Sequence, residues 1–214
     1  MSGWTLPALN AFMARNRLNT TVTAARRFTS GFWNHVLHLT TDQGDLVFKH
    51  YRPTAGNSLF PNLPADEARA LHRLRGLNVA PDLVAFVPAE DVLIYRYLPG
   101  PEWQDDVTAA AHLMRRQSRA DPTGFRRVPT TSAAILAQGD SILALGQTSP
   151  LSRTLQACRP PAQPSDPAPL SLVHTDPAPA NLVGTGAGLM AWLPAAVDHE
   201  AVLRDVERAA EHVR

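Results

Sequence analysis

The sequence predicts an α+β chain in two lobes, a small β-rich N-lobe over residues 1–97 and a mainly helical C-lobe over residues 98–214. Three observations carry this. Alternating apolar residues flank a turn between Trp33 and Phe48, an amphipathic segment separates that hairpin from a second one, and stretches rich in Ala, Leu and Met follow a Pro-Gly break near residue 100.

In the first hairpin Trp33, His35, Leu37 and Leu39 share one parity, and Thr41-Asp42-Gln43-Gly44 supplies turn residues before Leu46, Val47 and Phe48. Period-two alternation on both sides of a Gly-containing turn is a hairpin pattern. From Ala65 to Leu77, Ala68, Leu71 and Leu74 recur at helical spacing, with Asp66 and Glu67 in the first turn and Gly76 near the end, so one amphipathic helix is expected. Asp82 to Val87 and Val92 to Tyr97 are short runs of Val, Ile, Leu and aromatics around Pro88-Ala89-Glu90-Asp91, a second hairpin. Leu98-Pro99-Gly100 then breaks the pattern and is expected to act as a hinge.

Beyond it, Val107 to Arg119 and Thr131 to Leu145 favour helix by propensity. Between Gln156 and Pro169 five prolines in a polar context preclude a regular helix and mark a linker. Ser171-Leu172-Val173-His174 enters a short strand or loop, and Ala201 to His212 reads as a last helix with a solvated charged face.

The composition narrows the function. At 214 residues and 44% hydrophobic content the chain can bury a core, and its net charge of +1 offers no field for nucleic acid, a membrane surface or a polyacidic partner. The N-terminus lacks the features of a secretory leader, and no stretch approaches the roughly 20 apolar residues of a membrane helix. Cys158 is the single cysteine, which agrees with a reducing, cytoplasmic location. No Gly-x-x-x-x-Gly-Lys-Ser/Thr and no His-Glu-x-x-His is present, which removes a P-loop NTPase and that class of metalloprotease.

The segment Leu172-Val173-His174-Thr175-Asp176-Pro177-Ala178-Pro179-Ala180-Asn181-Leu182-Val183 carries chemistry. An apolar approach and an apolar exit frame a polar loop that two prolines stiffen. Phosphoryl transfer needs a carboxylate to orient an acceptor hydroxyl and accept its proton, and an oxygen ligand to help hold magnesium over the phosphates. Asp176 and Asn181 have those groups, and His174 suits a bracing hydrogen bond better than proton transfer. The bland alternative is a solvated loop in which Asp176 and Asn181 cap turns.

His-x-Asp followed by four residues and Asn resembles the catalytic loop of the aminoglycoside and choline phosphotransferases, small-molecule relatives of the protein kinases. Thr175 stands where that branch usually has glycine. The resemblance covers roughly Thr20 to Glu200 and implies a protein-kinase-like two-lobe fold, with ATP and Mg2+ as cofactors and a small-molecule hydroxyl as acceptor.

It also implies a strand lysine on the nucleotide phosphates, paired with a helix glutamate, and Lys49 and Glu67 occupy those places. Lys49 would otherwise be an exposed strand-end lysine and Glu67 an ordinary first-turn acid. The loop over the phosphates corresponds to 28–34, where Ser30 and Gly31 are the candidates for cradling. A second metal aspartate is expected about a dozen residues past Asn181. If Trp192 matches the family aromatic, Ala191 stands in its place; if Val197-Asp198-His199-Glu200 is the match, Asp198 is the ligand, and this second alignment is preferred. Asp198 would otherwise cap the last helix.

Only sixteen residues follow Asp198, fewer than the family's helical C-lobe needs. Against the family the C-lobe is thus expected to be truncated, which raises a homodimer or a partner chain covering it, or a catalytically impaired pseudokinase acting as a nucleotide-binding or protein-interaction module. Past the hinge, Glu102, Trp103, Asp105 and Asp106 offer carboxylates beside an aromatic, suited to a cationic acceptor. Asp105 and Asp106 equally suit the start of the following helix.

Overall fold

The computed structural model describes residues 3–28, 34–52, 62–104, 106–125, 131–146, 154, 157–158, 161, 170–173, 181–186, 188–191 and 195–198. Helix α1 spans Leu6–Arg15, with the Thr5 side chain capping it and proline in the first turn, where a missing N–H costs nothing. Strands β1 (Val22–Arg27), β2 (His35–Thr41) and β3 (Leu46–His50) follow, then helix α2 (Pro64–Leu74) and strands β4 (Leu83–Val87) and β5 (Val92–Arg96). These five strands form one antiparallel sheet in the order β1-β2-β3-β5-β4.

Both predicted hairpins form. The β2–β3 turn closes by a Gly44 N–H to Thr41 carbonyl bond and a 2.6 Å bond from the Thr41 hydroxyl back to the Gly44 carbonyl. Gly44 takes φ +94, the left-handed region that glycine enters without strain. The predicted helix over 65–77 ends three residues early, at Leu74, and Gly76 at φ +79 turns the chain away.

The sheet has two apolar faces. On one, α1 packs Leu9, Phe12 and Met13 onto Leu37, Leu39, Leu46, Phe48, Val92 and Ile94, and the Trp4 ring meets Phe48 at 4.7 Å. On the other, Val47, Tyr51, Leu93 and Tyr95 join Ala68, Leu71 and Leu74 of α2. Residues of opposite parity on β3 thus feed different cores, as the strand period requires.

Beyond β5 come helices α3 (Val107–Gln117) and α4 (Ser132–Gly146), both expected from composition, and four short strands: β6 (Leu170–Val173), β7 (Leu182–Thr185), β8 (Gly188–Ala191) and β9 (Ala195–Asp198). They make two antiparallel pairs, β6–β9 and β7–β8. The predicted hinge is tied down: Trp103 N–H donates to the Leu182 carbonyl and Gly184 N–H to the Pro101 carbonyl, both at 2.9 Å, around an isolated Glu102–Val183 bridge. Gly100 lies so close to this crossing that a Cβ would sit 1.9 Å from the Gly184 carbonyl oxygen.

Leu113 of α3, Leu172 of β6, Leu182 of β7 and Leu189 and Ala191 of β8 belong to the same apolar cluster as Val47 and Leu71. One continuous core therefore joins the α2 face of the sheet to the strands beyond the hinge.

Candidate active site

Lys49 lies on β3 as the register partner of Leu93 on β5, with its side chain on the α2 face of the sheet. Glu67 sits in the first turn of α2, yet it is buried like its apolar neighbours Ala68 and Leu71. A first-turn acid that served only the helix dipole would stay in water. Instead Lys49 Nζ donates to Glu67 Oε2 at 2.6 Å, and the two side chains are 7% and 9% exposed. Charges removed from water to this degree survive only when paired and hydrogen-bonded.

Tyr51, just past the end of β3 and two residues after Lys49, donates its hydroxyl to the same Glu67 Oε2. Its ring also lies 4.9 Å from Lys49 Nζ, within cation–π range. Burial first, and then the Glu67 charge, push the Tyr51 phenol well above its usual range. The same two causes act on Tyr95, so both phenols stay protonated. Glu67 Oε1 is buried and has no hydrogen-bond partner among the described residues.

The candidate loop lies between β6 and β7. Leu172 on β6 and Leu182 on β7 are fully buried in the core that also holds Val47, Tyr51 and Ala68. The two stems of the loop and the strand and helix bearing Lys49 and Glu67 are thereby packed together. Asn181 is partly buried at the foot of β7. His174 and Asp176, and Ser30 and Gly31 in the earlier loop, lie outside the described residues.

The two alignments for the second metal aspartate fall in different places. Ala191 is a fully buried core residue that pairs with Leu182 and donates its N–H to the Val79 carbonyl at 2.9 Å. Asp198 is the last residue of β9, which lies against α2. Its register partner is Leu170, whereas Ala195 pairs with Val173, the residue before the loop. At roughly 3.3 Å per residue, Asp198 is about 10 Å along the strand from the loop end.

The hinge carboxylates divide. Asp106 caps α3, its Oδ1 accepting from the Ala109 N–H at 2.8 Å, and its carbonyl accepts from Trp103 Nε1. The helix-start alternative is thus the observed one for Asp106. Glu102 is exposed at the bridge to β7, and Asp105 lies outside the described residues.

Sequence reasoning missed Tyr51. The available signal was its spacing, since two residues after Lys49 on a strand must share its face. It also missed the bracket around Asn34, whose amide exchanges hydrogen bonds of 2.9 and 2.8 Å with Asn62 and accepts from the Arg52 N–H. That bracket ties the start of β2 to the end of β3 and to the chain entering α2.

Among the described residues no helix is long and apolar enough to cross a membrane.

Residues 24–191 match the model of the phosphotransferase enzyme family. Solved structures share the fold at low identity. The choline kinase of Streptococcus pneumoniae is similar at 12% identity with a TM-score of 0.62, over 97% of this chain and 79% of that one. A macrolide 2'-phosphotransferase of Brachybacterium faecium is similar at 16% identity and TM-score 0.58, over 97% and 83%. A putative aminoglycoside phosphotransferase of Ralstonia eutropha reaches 17% and 0.62, over 90% and 66%. No curated protein sequence matches the chain.

Proposed function

The chain belongs to the phosphotransferase enzyme family, and on that premise we propose that it transfers the γ-phosphoryl group of ATP to a hydroxyl of a small molecule in the cytoplasm. The observation that carries this reading is the buried Lys49–Glu67 pair. A lysine held inside a sheet by a helix carboxylate, in one core with the stems of a His-x-Asp loop, is what nucleotide phosphates need.

The donor set fits ATP and magnesium in kind. Lys49 supplies an ammonium already oriented by Glu67, and Asn181 and Asp198 offer hard oxygen donors, which suit Mg2+. Bound magnesium would neutralise phosphate charge. Lys49 holds the phosphates, and Ser30 and Gly31 lie in the loop assigned to cradling them. Asp176 orients the acceptor hydroxyl and takes its proton as the new oxygen–phosphorus bond forms and the bond to the ADP oxygen breaks. His174 braces the loop. Glu102 beside Trp103 would favour a cationic acceptor, such as an amino sugar or a quaternary amine.

The test is ADP release with a panel of neutral and cationic alcohols. Asp176→Asn should lower kcat by about 10²- to 10⁴-fold, the usual worth of a general base, with little change in ATP affinity. Equal turnover by the variant would remove Asp176 from the role. An Asp198→Asn variant that binds Mg·ATP like the parent would remove Asp198 from the ligand set.

A further inference from the structure

We propose that Tyr51 is a positioning residue that locks Glu67 against Lys49, so that the lysine is held for phosphate without depending on its own bond to keep the helix carboxylate in place. The inference deepens the reading of Lys49 as the phosphate-binding residue and rests on it.

The geometry gives Tyr51 two contacts with the pair. Its hydroxyl donates to Glu67 Oε2, the oxygen that also takes Lys49 Nζ at 2.6 Å. Its ring face lies 4.9 Å from the same ammonium. Tyr51 itself is 3% exposed, belongs to the core cluster with Ala68 and Leu71, and has its backbone N–H bonded to the Asp91 carbonyl at 2.9 Å. It is a fixed post rather than a surface side chain that can swing away.

The second carboxylate oxygen sharpens the case. Among the described residues Glu67 Oε1 is buried without a hydrogen-bond partner, and the hydrogen bonds they give the carboxylate converge on Oε2. Two donors share that oxygen, and one of them, Lys49, is the group that must also serve a ligand. When the ammonium turns toward phosphate its bond to Glu67 weakens. The Tyr51 hydroxyl makes no such division, because a neutral phenol has no comparable attraction to a polyanion. It keeps the buried carboxylate satisfied and α2 docked while Lys49 is shared. Removing it leaves Lys49 as the sole donor to Glu67 among the described residues, which draws the ammonium back to the carboxylate and away from phosphate.

The experiment is a double-mutant cycle between Tyr51→Phe and Glu67→Leu on the full chain, read in two ways. Tyr51→Phe keeps the ring and its packing. Calorimetric titration with Mg·ATP should show binding weakened about tenfold by Tyr51→Phe, as for a lost hydrogen bond to a charged group, and no further loss when Glu67 is already Leu, which has no oxygen to accept the hydroxyl. Urea unfolding of the apo-protein should show the same coupling, with Tyr51→Phe lowering the midpoint in the parent and not in Glu67→Leu. Unchanged ATP affinity in Tyr51→Phe, or an equal loss in both backgrounds, would overturn the inference. A parent that binds no ATP, with the unfolding coupling intact, would overturn the proposed function while leaving the Tyr51 lock standing; loss of both would overturn both.

Discussion

Removing one member of the Lys49–Glu67 pair should cost far more than removing the pair. With Lys49→Met the Glu67 carboxylate stays buried with the Tyr51 hydroxyl as its remaining donor. Stranding one charge of a buried pair costs about 3–5 kcal/mol, and the surviving Tyr51 bond puts this variant near the lower end, about 3 kcal/mol. For a chain of this length that is a fall in Tm of roughly 6–12 °C. In Glu67→Leu the ammonium is left over the Tyr51 ring at 4.9 Å, which recovers only about 1–2 kcal/mol of a larger loss. The double variant Lys49→Met, Glu67→Leu, carried together with Tyr51→Phe so that no buried phenol is left without its acceptor, leaves an apolar environment of Val47, Ala68 and Leu71, and its stability should lie within about 1 kcal/mol of the parent or above it. Urea titration followed by far-UV circular dichroism measures all four proteins. Single variants that lose less than about 1 kcal/mol, the scale of exposed ion pairs, would show that the pair is not desolvated. A double variant that loses the sum of the singles would show that its charges are not coupled.

Gly100→Ala should destabilise by about 2–3 kcal/mol, since φ is +147 and the new Cβ would meet the Gly184 carbonyl oxygen at 1.9 Å; thermal unfolding against Gly76→Ala, where φ is +79 but the space is open and the cost is about 1 kcal/mol, separates the clash from the dihedral. His35 is held below its ordinary value by burial first, then by the charges of Arg27 and Arg52 and by His50. The unfolded chain therefore binds the proton more readily, so stability should fall as pH drops through the ordinary histidine range, and His35→Asn should flatten that slope in denaturant melts taken at several pH values.

The N-lobe was legible because its elements keep the periods of buried structure. The β2–β3 hairpin alternates on one side of a four-residue turn, and α2 repeats its apolar residues at helical spacing. Strand β1 was not legible because only Val22 of its six residues is buried; an edge strand exposed on both faces leaves no alternation to see. Helix α1 carried its signal in the Thr5 cap and the first-turn proline, which are short-range cues without a long periodic stripe. Strands β6 to β9 are four residues each, too short to show a period.

The site was legible in part. The order of Lys49, Glu67 and the His-x-Asp loop pointed to the pair, and the 2.6 Å bond joins the first two. Nothing in the sequence distinguished a first-turn glutamate facing water from one turned inward, because that depends on how α2 lies on the sheet. Tyr51 was hidden for the same reason: its contact with Glu67 crosses sixteen positions of chain. For the hinge carboxylates, local chemistry decided, and Asp106 went to the helix cap.

The measurement that tests the central claim most directly is calorimetric titration of the full chain with ATP, with and without magnesium, for the parent, Lys49→Ala and Asp176→Ala. The proposed function predicts magnesium-dependent binding that Lys49→Ala abolishes and Asp176→Ala retains. Absence of binding in the parent, or binding indifferent to Lys49, would contradict it.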